Sequence, residues 1–247
     1  MWGYSEYVPV AKRKDQAQKK VEQLRRKNPD LAPVVIEGRK IATTWWGIAW
    51  NKNMESYADI ANRIARGSSY VRNGYVVDLQ INEGLITAQV LGSHLYKITI
   101  SITKLADKKW TDITKQCAKR ITDMAELAEG KFQKEMESVF MRQGEGLFPS
   151  PKEINFACSC PDQYGTHMCK HVASALYGVG RRLDDDPMLF FRLRGADPGE
   201  LLRASIEERT AALLLNADRR SKRVIADKDV NRIFGDTEVK ERSVFKN

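Results

Sequence analysis

Three consecutive runs in which apolar and polar residues alternate leave this chain few choices of fold. Tyr75, Val77, Leu79 and Ile81 alternate with Val76, Asp78, Gln80 and Asn82, and a turn at Glu83-Gly84 leads into Leu85 to Leu91. Gly92-Ser93 then opens a third run, in which Tyr96, Ile98, Ile100 and Ile102 alternate with Lys97, Thr99, Ser101 and Thr103. Successive side chains of a strand point to opposite faces, so strict alternation sends one face to a core and leaves the other in water. Short glycine-bearing turns between such runs predict an antiparallel β-meander with one buried face. That face needs a cover.

The flanking segments supply it as helices. Thr44 is placed to cap a helix from Trp45 to about Ala65, on which Trp46, Trp50, Tyr57, Ile60 and Ile64 recur at helical spacing, with Gly67 as its stop. That periodicity assigns Trp46 and Trp50 to a core in preference to a base-stacking surface. After the sheet, Trp110, Ile113, Cys117, Ile121, Met124 and Ala128 form one helical stripe, so Cys117 reads as a small buried hydrophobe. Phe132, Met136, Val139 and Phe140 mark another helix, and Gly144, Gly146 and Pro149 read as a linker. Further on, Asp186-Pro187 and Asp197-Pro198 each match a helix cap followed by proline at the first helical position. They open C-terminal helices through Leu189, Phe190 and Leu193 and through Leu201, Leu202, Ile206 and Leu213, beyond which lie the basic run 219–223 and a last apolar contact at Val230, Ile233 and Phe234. The fold class expected is α+β.

Charge narrows the partners. The net charge is +9, and residues 1–40 hold ten Lys and Arg against five Asp and Glu, which is +5 of it. Residues 11–28 form an exposed basic helix with a thin apolar stripe of Ala17, Val21 and Leu24, ending at Asn28-Pro29. Such a localised excess suits a polyanion, with simple solubility as the bland alternative. No apolar run approaches the roughly 18 residues of a membrane-spanning helix. The first residues have neither the basic stretch nor the apolar core of a secretion signal, so a cytoplasmic protein is expected.

Four cysteines in 247 residues are too few for a disulfide scaffold, and three of them fall within twelve residues. Cys158, Cys160, Cys169 and His171 form two pairs, each split by one residue, with eight residues between the pairs. Three thiolates and an imidazole make a closed tetrahedral set suited to one structural Zn²⁺. Pro161 and Gly165 let the chain reverse so that both pairs face one ion. The run from Val172 to Gly178 reads as helical, which puts Cys169 and His171 at a helix start where a thiolate is favoured. A disulfide between Cys158 and Cys160 would be strained, and His167 stands as the alternative imidazole.

Those residues also carry a resemblance. Cys158-Ser159-Cys160 with Cys169-Lys170-His171 resembles the SWIM zinc finger, whose pattern is Cys-x-Cys, a variable spacer and Cys-x-His. More loosely, residues 44–50, 66–74 and 189–195 resemble bacterial stand-alone SWIM zinc finger proteins. Ser68 and His94 stand where those relatives tend to carry a basic residue. The resemblance implies a zinc-dependent interaction module for DNA or protein, found with Swi/Snf-type helicase ATPases and Mutator-type transposases, and implies no enzymatic activity.

Together these readings divide the chain into a basic segment (1–40), an α+β domain (41–146), the finger (147–182) and a C-terminal helical region (183–247). The expected function is non-enzymatic nucleic-acid binding, with DNA as the target, as accessory to a helicase or DNA-remodelling system. The candidate contacts are Lys12, Arg13, Lys14, Lys19, Lys20, Arg25 and Arg26, with Lys152, Lys170, Arg181 and Arg182 near the finger. Arg66, Tyr70 and Arg72 add a turn beside the sheet where guanidinium could meet phosphate and a ring could stack; the alternative is a plain connection held by Gly67 and Gly74. A protein-docking adaptor is the second reading. A metal-dependent hydrolase or nuclease is the third, and it would need Asp184-Asp185-Asp186 to converge on a cation instead of forming a solvated loop.

Overall fold

The computed structural model describes residues 9–57, 61–121, 129, 134–142, 144–163 and 168–217. The run 219–223, Val230, Ile233, Phe234, Ile60, Met124, Ala128, Phe132 and His167 fall outside them. The architecture is α+β. The described elements are α1 (Val10–Arg25), α2 (Trp45–Glu55), α3 (Ala61–Arg72), β1 (Val76–Asn82), β2 (Leu85–Leu91) and β3 (Leu95–Ile102). They continue with α4 (Asp107–Cys117), α5 (Lys134–Phe140), β4 (Ile154–Cys158), α6 (Lys170–Asp185), α7 (Met188–Arg194) and α8 (Pro198–Ala217).

The expected antiparallel meander forms, with Ile86 opposite Ile81 and Ile100, and Ala88 opposite Leu79 and Ile98. On β3, Tyr96, Ile98, Ile100 and Ile102 are buried while Lys97, Thr99 and Ser101 are exposed. Alternation fails at the start of β1, where a register shift between Val76 and Asp78 leaves both Val76 and Val77 fully buried. The outer edge of β1 is covered by the chain that follows α1: Val34 N–H donates to Val76 O at 3.0 Å, and Leu79 N–H to Ala32 O at 2.9 Å.

A fourth strand, β4, pairs antiparallel with β3, aligning Ile98 with Cys158 and Ile102 with Ile154. Nothing in its short sequence marks it. Only five residues long and exposed at Asn155 and Ala157, it lies within the segment read as a finger.

The helix after the cysteines is the central packing element among the described residues of the sheet and the helices that cover it. α6 lies across the sheet's apolar face, touches all four strands and packs against α2 and α3. It is buried from His171 through Gly180. Trp50, with no exposed surface, donates its Nε1–H to Leu176 O at 2.8 Å, and Trp46 stacks on Phe140 and meets Phe190 and Phe191 edge-on. Both tryptophans are core.

The single helix expected from Trp45 to Ala65 is two helices, and Gly67 lies inside the second. The cause is tertiary. α3 crosses α6 so closely that a Cβ on Gly67 would stand 2.5 Å from the Ala173 Cβ, and one on Gly47 would collide with the Gly180 carbonyl. Both glycines permit contact between helices; neither stops one. In an exposed helix Gly→Ala gains about 1 kcal/mol, but Gly67→Ala is expected to cost about 1–3 kcal/mol through overpacking. A rise in melting temperature for this variant would disprove the close crossing.

Residues up to Ile206 form one compact unit, and Glu207 begins a second. The boundaries expected at 40, 146 and 182 fall within the first unit, because β4 joins the sheet and α6 fills the core. The segment read as a linker is likewise packed, with Leu147 and Phe148 buried. Of the second unit, the described residues are the later turns of α8, on which Leu213, Leu214 and Leu215 are exposed. No helix among the described residues is long and apolar enough to cross a membrane.

Candidate metal centre

The cluster is assembled by two elements that the core already holds. β4 delivers Cys158 at its last residue, and the chain leaving it is latched to β3: Ser159 N–H donates to Lys97 O, and Lys97 N–H to Ser159 Oγ, both at 3.0 Å. Cys160 follows, 4% exposed. The second pair comes from the start of α6. Cys169 is its N-cap, accepting the Val172 N–H on Sγ at 3.5 Å, and His171 lies in the first turn, 1% exposed.

The donor atoms of Cys158, Cys160, Cys169 and His171 all lie within 4.8 Å of one another. His171 Nδ1 is 4.0 Å from Cys158 Sγ and 3.9 Å from Cys169 Sγ. Bonds of about 2.3 Å to sulfur and 2.0–2.1 Å to nitrogen at a tetrahedral centre put the donors roughly 3.5–3.8 Å apart. The side chains therefore fit one metal ion with only small adjustments. His167, the alternative imidazole, lies outside the described residues, and His171 completes the set without it.

Thiol electrostatics agree with a site made for a cation. Cys169 titrates well below its ordinary value, at about 4, through the hydrogen bond from Cys158 and then those from His171 and the Val172 amide at the helix start. Cys158 is driven up by its bond with the Cys169 sulfur and by burial, and Cys160 is driven up chiefly by burial. Three sulfurs this close share protons unevenly, whereas a divalent cation lets all three ionise. Cys117 is unlike them: fully buried in α4, its thiol is pushed up to about 12 by desolvation. It is a small core hydrophobe, as expected.

An aromatic collar orients the imidazole. Tyr96 stacks on His171 with ring centroids 4.3 Å apart, and Tyr70 meets it edge-on at 5.6 Å while also packing against Tyr75. Nε2 of His171 faces Gly92 and is buried without a hydrogen-bond partner among the described residues. Ligation of a metal through Nδ1 requires the imidazole proton on Nε2, the tautomer opposite to the one that donates to Cys169 without a metal. Sequence reasoning missed Tyr96 and Ser159 as supports, since one looks like an ordinary strand residue and the other like a spacer. Tyr70, expected as a stacking platform on a turn, lies instead on α3 against the imidazole.

The basic candidates are dispersed, and several are engaged. Lys12, Arg13, Lys14, Lys19, Lys20, Arg25 and Arg26 lie on or just after α1; Arg66 and Arg72 lie on α3, not on a turn; Lys152 lies in a single 3₁₀ turn before β4. Lys170 pairs with Asp162 at 2.7 Å, Arg181 with Asp185 at 2.5 Å, and Lys19 with Asp15 at 2.9 Å. Lys20 bonds Gln23, and Arg182 donates to the Ala32 and Pro33 carbonyls at 3.1 Å.

The acidic run does not converge. Asp184 accepts from the N–H and hydroxyl groups of Thr43 and Thr44 at 2.5–3.1 Å, tying α6 to the start of α2. Asp185 faces Arg181, and Asp186 accepts the Met188 N–H at 2.9 Å. These bonds account for the run as helix-end chemistry.

No protein-family model matches the chain, and no solved structure does. The chain is similar to the uncharacterized protein Rv2102 of Mycobacterium tuberculosis (strain ATCC 25618 / H37Rv), with 36% identity over 165 residues. That match covers 66% of this chain and 58% of the relative, so the chain spans less than two thirds of the relative's length.

Proposed function

We propose that this chain is a cytoplasmic, non-enzymatic protein of the SWIM zinc finger type that binds nucleic acid, DNA foremost, as accessory to a Swi/Snf-type helicase ATPase. The observation that carries the binding reading is α1. Its solvent side presents Lys12, Lys14, Arg25 and Arg26 on the same compact unit as the Cys₃His cluster. Zinc is the ion that three thiols and one imidazole suit best, and four protein ligands leave no open position for a catalytic water. The likeness of the Cys-x-Cys and Cys-x-His pairs to the SWIM pattern is the ground for naming a helicase partner. Duplex binding should fall with salt by about 0.9 in log affinity per log salt for each phosphate neutralised. A filter-binding series that is flat in salt, or shows no binding at low salt, would sink this reading.

The protein-docking adaptor keeps a place because of α8, where Leu213, Leu214 and Leu215 are 64–75% exposed. Under that reading, removal of residues 207–247 abolishes ATPase capture in a nuclease-treated pull-down and leaves nucleic-acid affinity unchanged.

A further inference from the structure

Two candidates that look unrelated in the sequence, α1 and the end of α3, meet around one cleft of about 450 Å³. That lies within the roughly 300–1,000 Å³ of ordinary ligand sites. Its lining includes Ala17 and Val21 from α1 with Val34, Val35 and Ile36 from the strap beside β1. Ala17 and Val34 are each 2% exposed, whereas Val35 is 61% exposed, so an apolar surface is open to solvent. Lys14, Arg25 and Arg72 also line it, all three exposed. Arg72 Nη1 donates to Ser68 Oγ at 2.5 Å, which steadies the guanidinium and leaves its other N–H groups for a ligand. Gln18 and Glu22 add an amide and a carboxylate. By contrast, Lys19 on the same helix and Lys170, Arg181 and Arg182 elsewhere are engaged within the fold.

We infer that this cleft seats one unpaired nucleotide of a single-stranded nucleic acid, its base against Val21, Val35 and Ile36 and its phosphate held by Lys14, Arg25 and Arg72. The inference rests on the nucleic-acid reading above and names the form of the ligand. An apolar floor is matched by the face of a ring. In a duplex that face is stacked on its neighbours, but in a single strand it is available. Cations beside the floor meet the phosphate that such a base carries; single strands are held without a sequence code by basic groups beside a surface for the base face, here aliphatic in place of the usual aromatic rings. The Glu22 carboxylate can accept from an exocyclic amino group, and the Gln18 amide can donate or accept at the base edge.

The test uses the full chain and fluorescence anisotropy with a labelled single-stranded oligodeoxynucleotide and the corresponding duplex. For the Arg25→Gln, Arg72→Gln double variant, the salt slope on the single strand should be shallower by about 0.7, the contribution of the one phosphate that the cleft holds. Val35→Asp places a carboxylate on the exposed floor without entering the core. It should weaken single-strand binding about tenfold or more and duplex binding much less, with melting temperature unchanged. Wild-type affinity for the single strand in both variants would overturn the cleft while leaving the nucleic-acid reading standing. Equal weakening on both strand forms from Val35→Asp would also overturn it, because no base would then be seated there. A wild-type chain that binds neither form at low salt overturns both proposals.

Discussion

Cys160→Ser is expected to release the metal and lower stability by more than about 4 kcal/mol. A serine hydroxyl is a poor zinc ligand, and the substitution leaves a three-donor shell with the Cys158 and Cys169 sulfurs uncompensated. The effect is not confined to a small finger. β4 ends at Cys158 and completes the sheet, and α6 starts directly after Cys169 and touches every strand. Freeing the cysteines therefore loosens the last strand and the first turn of the central helix together. Metal content by native mass spectrometry and melting by circular dichroism read the two consequences separately, and a chelator on wild-type protein should reproduce both. The control is Cys117→Ala, which should cost some packing and keep one ion per chain. A Cys160→Ser protein that holds one tight ion and melts unchanged would show that the ligand set is wrong.

Arg194 offers the second large effect. It is completely buried, yet it is an arginine: Nη1 donates to Thr103 O at 2.6 Å, and Nη2 pairs with Glu153 Oε1 at 2.9 Å. Its own carbonyl accepts from Leu105 N–H at 2.8 Å, so one residue of α7 ties down the chain leaving β3 and the carboxylate just before β4. Glu153 also bonds the Ser150 amide and hydroxyl, each at 2.8 Å. Burial alone would raise the Glu153 carboxyl, but the Ser150 amide and Arg194 outweigh it and hold it below its ordinary value of 4.5. The stabilisation is therefore fully present above pH 4.5 and is lost as pH falls through the lower folded value. Arg194→Met should cost about 3 kcal/mol, toward the low end for breaking a buried pair because Ser150 still supports Glu153. It should also flatten the acid limb of the stability curve. Adding Glu153→Gln should recover part of the stability, and a double-mutant cycle with no coupling would refute the pair.

How much could be read in advance depended on how local each interaction is. The strands β1 to β3, the burial of Trp46 and Trp50, the Thr44 cap and the four side chains that could hold a metal ion were legible because periodicity and ligand spacing are properties of neighbouring residues. Gly67 reads wrongly as a helix stop because glycine gives the same local signal whether it ends a helix or lets a second one approach. Only the position of Ala173, more than a hundred residues later, separates the two. β4 escapes notice since a five-residue strand with two exposed positions has no pattern of its own; its strand character comes from β3. Ser159 and Tyr96 gain their roles in the same way.

By itself the sequence determined a one-faced antiparallel meander, its helical cover and a closed set of three thiols and an imidazole. The tertiary structure decided that β4 and α6, which carry this set, belong to the sheet and core of the first unit. It also decided which cations are engaged within the fold and which three gather at a cleft. The physical reason is that alternation, capping and ligand spacing act over a few residues. Helix crossings, strand addition and charge pairing depend on where distant segments meet.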